Sequence, residues 1–116
     1  MVPEYAEVLS AVSTVLEPIG FKAIRDEEFL FVMKWSGCFV ILEGEPYIRG
    51  AFNLGITSAW PIKPDSVFSV RLLMKVLGDN SKPSLENQLR FLVTNMSTLF
   101  GPQDAYAARY RDLNEG

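Results

Sequence analysis

The sequence predicts one α+β domain: an antiparallel four-stranded meander with an N-terminal helix before it and two to three helices after it. Apolar residues recur at helical spacing over residues 3–17 and again over residues 84–100. Between them, residues 21–52 hold four short apolar runs separated by turn signals. A length of 116 residues suits a single core, and 48% hydrophobic with 22% charged residues is the composition of an ordinary folded chain.

In the first helix Tyr5, Val8, Leu9, Val12, Val15 and Leu16 share one face, Pro3 suits the first turn and Glu4 favours its dipole. Pro18 and Gly20 stop it. Residues 21–25 read as a first strand ending at an acidic turn, Asp26-Glu27, and residues 28–35 as a second. Ser36-Gly37 is a two-residue hairpin signal, so Cys38 opens a third strand running to Leu42 or Glu43. Glu43-Gly44-Glu45-Pro46 is the next turn, residues 47–52 the fourth strand, and residues 53–64, with Gly55 and two prolines, an irregular loop.

Asp65 or Ser66 then caps a helix through Leu77, ended by Gly78; the alternation of Phe68, Val70, Leu72, Met74 and Val76 equally suits a fifth strand over residues 66–77. Ser84 starts a further helix, with Leu85, Leu89, Leu92, Val93, Met96, Leu99 and Phe100 as its stripe and Gly101-Pro102 as its stop. Residues 103–113 add a short helix with Tyr106 and Tyr110 one turn apart.

The hairpin FLFVMKWSGCFVIL has no polar face. Phe29, Phe31, Met33 and Trp35 point one way on its first strand and Leu30 and Val32 the other; the second strand sets Phe39 and Ile41 against Cys38, Val40 and Leu42. A sheet solvated on one side alternates apolar with polar residues, so this one is covered twice. The second cover is a helix, a folded-over loop, a protein partner or a second copy of the chain.

Net charge is −3, from 11 basic and 14 acidic residues; the first 50 residues are acidic by four and the remainder basic by one. Without a Lys/Arg stripe, nucleic acid is a poor partner and a basic protein a better one. No apolar run reaches the ~18 residues that cross a bilayer. The N-terminus MVPEYAEVL has acids where a secretory leader has bases, and the lone Cys38 forms no disulfide within the chain. A cytoplasmic chain is the expectation.

Histidine is absent, which excludes Ser-His-Asp and Cys-His nucleophiles and His-based zinc sites. No phosphate-binding glycine loop or calcium loop is present, and no cofactor is implied. Cys38 reads as a small core hydrophobe. Lys63, Arg71, Lys75 and Lys82 read as a solvated face.

One constellation comes from topology. In a meander the first and third turns lie at the same end of the sheet, which gathers Asp26, Glu27, Glu28, Glu43 and Glu45 on one rim. Turns tolerate acids, and such a rim also docks a basic protein or, less readily, a divalent cation. A solvent-exposed rim is unsuited to carboxylate acid–base catalysis, which needs a pocket to shift the pKa values. Tyr47, near this rim, and Trp60, between prolines, either pack down or serve as interface anchors.

An acidic chain with helix 1, the segment LEPIGFKAIRDEEFLFVMKW, an antiparallel sheet and C-terminal helices resembles the small immunity proteins of bacterial polymorphic-toxin and contact-dependent growth-inhibition systems. The resemblance implies a non-enzymatic cytoplasmic protein that binds one cognate toxin, often a basic nuclease, and blocks it by steric and electrostatic occlusion. It assigns no binding residues; Asp26, Glu27, Glu28, Glu43, Glu45, Tyr47 and Trp60 are candidates on the topological argument alone. The chain also resembles class-I secretion chaperones, which are small acidic dimers, although residues 53–64 depart from their order of elements. A third reading is a small-molecule-binding domain in which Arg49 or Arg71 receives an anion.

Overall fold

The computed structural model describes residues 3–27, 29–44, 52–58, 67–101 and 104–115. The architecture is α+β, and the chain divides into two compact units, Met1–Val67 and Phe68–Gly116. The first holds helix α1 (Pro3–Leu16), a 3₁₀ turn (Glu17–Ile19) and strands β1 (Lys22–Glu27), β2 (Leu30–Trp35), β3 (Cys38–Gly44) and β4 (Phe52–Thr57). The second holds a two-residue strand, β5 (Phe68–Ser69), and helices α2 (Val70–Val76), α3 (Leu85–Thr94), α4 (Met96–Leu99) and α5 (Asp104–Glu115).

In the first unit α1 ends where Pro18 and Gly20 predict, with Val12 and Leu16 fully buried. The four strands form the predicted antiparallel meander. Ser36 and Gly37 take φ of 48° and 82°, the left-handed pair that a two-residue turn needs to match the strand twist. Phe29 also lies in the left-handed region at φ 64°, and its carbonyl accepts the Gly44 N–H at 2.9 Å, which ties the β1–β2 turn to the end of β3.

Register settles the two faces, because directly opposed residues share one. One face carries the rungs Phe31–Leu42–Leu54 and Met33–Val40–Ile56, all buried. The other carries Val32 beside Ile41 and Lys34 beside Phe39, where Val32, Phe39 and Ile41 form a buried cluster with Leu30 and Val67 packed on it. Both faces are therefore dry at the sheet centre. Val67 supplies part of the second cover.

Two strand expectations change, and β1 carries a bulge. Asp26 and Glu27 belong to β1 instead of forming a turn, because pairing with Phe31 and Leu30 overrides their weak strand preference. A bulge at Ile24 separates the Ala23–Met33 and Arg25–Val32 pairs. The fourth strand includes Phe52–Thr57, so residues 53–57 are strand where an irregular loop was expected; of the strand expected over residues 47–52, residues 47–51 fall outside the described residues. Leu54 and Ile56 alternate inward against Leu42 and Val40, and that burial outweighs the loop signals of Asn53 and Gly55.

In the second unit the alternation from Phe68 lasts two residues before the chain turns helical, so residues 68–76 are strand and then helix. Asp65 and Ser66, the expected caps, lie outside the described residues, and Ser69 takes the N-cap place. The end of α2 is as predicted: Gly78, at φ 82°, sends its N–H to the Lys75 carbonyl at 3.2 Å while Asp79 N–H reaches Met74 at 2.7 Å.

Ser84 caps α3, its hydroxyl accepting from the Asn87 N–H at 3.2 Å. The single helix expected over residues 84–100 is two, broken at Asn95, whose side-chain amide donates to the Phe91 carbonyl at 2.9 Å. Its buried stripe is Gln88, Leu89, Phe91 and Leu92, while Val93 faces solvent. Buried Gln88 is satisfied by the Pro83 carbonyl at 2.8 Å.

The tail helix α5 packs against α2 and presents the tyrosine pair as predicted. Phe68 meets Tyr106 and Tyr110 edge-on at 5.3 and 4.9 Å between ring centroids. The Tyr106 hydroxyl donates to Leu99 at 2.6 Å, and the Tyr110 hydroxyl accepts the Ser69 N–H at 2.7 Å.

Candidate protein-interaction site

The meander gathers acids at one end of the sheet. Glu27 opposes Leu30, and Leu30 opposes Glu43, so the two carboxylates occupy one rung on one face with Leu30 between them. Two strand spacings separate their backbones by about 10 Å. Asp26 opposes Phe31 on the next rung and belongs to the other face. All three acids are exposed. Glu28, Glu45, Tyr47 and Trp60 lie outside the described residues.

Arg25, which the sequence reading left out of the rim, lies 3.2 Å from the Glu27 carboxylate through its Nε, both side chains about half exposed. A pair in that setting contributes well under ~1 kcal/mol and leaves Glu27 open to a stronger partner. Its signal was available in the sequence: residues 25 and 27 are two apart in a strand and share a face. Groups standing in solvent act through long-range attraction, which salt screens over about 8–10 Å.

The opposite end of the sheet is basic. Lys22 faces Lys34 across β1 and β2, and both are exposed. Beside them Trp35, 41% exposed, packs on Phe21 with 5.7 Å between ring centroids. The Lys34 ammonium lies 5.8 Å from the Phe39 ring centre. This polarity, basic at the Ser36-Gly37 turn and acidic at the other end, becomes visible only once register is known.

Cys38 is half-buried, its Sγ 4.0 Å from the Ser36 carbonyl, and burial pushes its thiol pKa up, away from the thiolate that nucleophilic chemistry needs. Of the two arginines considered for an anion, Arg71 is exposed on α2 and Arg49 lies outside the described residues. Among the described residues no group of three His, Cys, Asp or Glu side chains could hold a metal ion, and no helix is long and apolar enough to cross a membrane. No family model, no curated protein and no solved structure matches this chain.

Proposed function

We propose that this chain is a non-enzymatic protein-binding module whose acidic sheet end meets a basic partner, and that the partner is a bacterial toxin domain neutralised by steric and electrostatic occlusion. The rung that sets exposed Glu27 and Glu43 on either side of Leu30 carries the reading. Two carboxylates flanking an apolar side chain suit a basic surface with an apolar contact at its centre. Asp26 adds charge at the same end. Attraction of this kind raises the association rate more than it adds contact energy.

The test is a pull-down with the tagged chain from a lysate of the cells that make it, washed at low and at high salt, beside the variant Asp26→Asn/Glu27→Gln/Glu43→Gln. A basic toxin domain, identified by mass, is retained by the wild type at low salt, weakened at high salt and lost from the variant. Equal retention by the variant refutes the acidic rim, and recovery of no toxin domain refutes the immunity reading.

A further inference from the structure

Strand β1 ends the sheet order, and all six of its residues are exposed although β2 beside it and β3 beyond that are dry at their centres. We propose that β1 pairs edge to edge with β1 of a second copy in a two-fold antiparallel arrangement that sets Lys22 opposite Glu27 of that copy.

Charge along the strand supports this occupant. β1 begins with Lys22 and ends with Asp26 and Glu27. Lys22 stands directly opposite Lys34, and among the described residues neither makes an ion pair. Like charges so placed repel. Antiparallel pairing of two copies with residue 22 against residue 27 supplies a carboxylate to each Lys22, twice by symmetry.

The bulge makes the match geometrically consistent. In an uninterrupted strand residues 22 and 27, an odd number apart, face opposite sides, and a two-fold pair cannot oppose them. Here Lys22 opposes Lys34 and Glu27 opposes Leu30, four residues apart on β2, so both share a face. Ile24, 44% exposed at the bulge, then lies next to the two-fold axis and gains cover. An edge with a lysine and a bulge turns away strands in general; one carrying the same bulge and an acid five residues on is admitted.

The inference does not rest on the toxin reading, although Glu27 takes part in both, and the protein alone tests it. Sedimentation equilibrium of the full chain up to about 1 mM at low salt shows a monomer–dimer equilibrium. Lys22→Glu and Glu27→Lys each weaken it about tenfold or more, and the combined swap restores it to within about threefold of wild type. Circular dichroism confirms that each variant is folded. A wild-type monomer at about 1 mM, single variants that dimerise like the wild type, or a swap as weak as the singles would each overturn the pairing.

Discussion

Replacing Ile41 with alanine tests whether the sheet is dry on its second face in solution. Ile41 is 2% exposed and belongs to the cluster of Val32 and Phe39, on the face opposite Leu42. The change removes three carbons at about 0.8 kcal/mol each, and the cavity left behind brings the loss to about 3 kcal/mol. Leu42→Ala, on the first face, loses a similar amount, about 3 kcal/mol, for the same reason. Urea titration followed by tryptophan fluorescence reads both, with the midpoint of each variant falling by about 1 M or more at an unchanged slope. A loss below about 0.5 kcal/mol for Ile41→Ala, with Leu42→Ala still costly, would show that the second face is solvated and would refute the two-sided assignment.

Two further outcomes follow from the second unit. Tyr106→Phe leaves the buried Leu99 carbonyl without its 2.6 Å donor and costs about 1–3 kcal/mol by the same titration; a change below about 0.5 kcal/mol would mean that water replaces the hydroxyl. Hydrogen bonds from the Ser81 side chain and then its N–H, the latter at 2.9 Å, hold the Asp79 carboxyl below its ordinary value. A depressed folded-state pKa contributes stability above the unfolded value of about 3.9 that is lost as pH falls through the folded one. NMR titration therefore finds Asp79 below an ordinary aspartate, and Ser81→Ala moves it upward; an unmoved midpoint would discount the Ser81 side chain.

Local chemistry made most elements legible. Pro18-Ile19-Gly20, Ser36-Gly37, Gly78 and Ser84 act within a few residues of themselves, so the first helix, the central hairpin, the end of α2 and the start of α3 could be read directly. The fourth strand could not. Gly55 looks like a breaker in isolation, and only its place opposite Ile41, between inward-facing Leu54 and Ile56, makes it a strand residue. The break at Asn95 was likewise hidden, because Met96 and Leu99 continue the apolar spacing across it.

The acidic end was legible because meander topology follows from short turns. The Lys22–Lys34 rung was not, because the bulge at Ile24 shifts the register ahead of Arg25 and no turn signal announces it.

The division of the chain at Val67 has a consequence for synthesis. Every pairing among β1 to β4 joins strands adjacent in sequence and is complete by Thr57, so no long loop has to close before the four strands meet. A unit held by pairings of this kind can assemble without waiting for residues 68–116. Its apolar strands pair with one another early, which shortens the time they spend open to chance association.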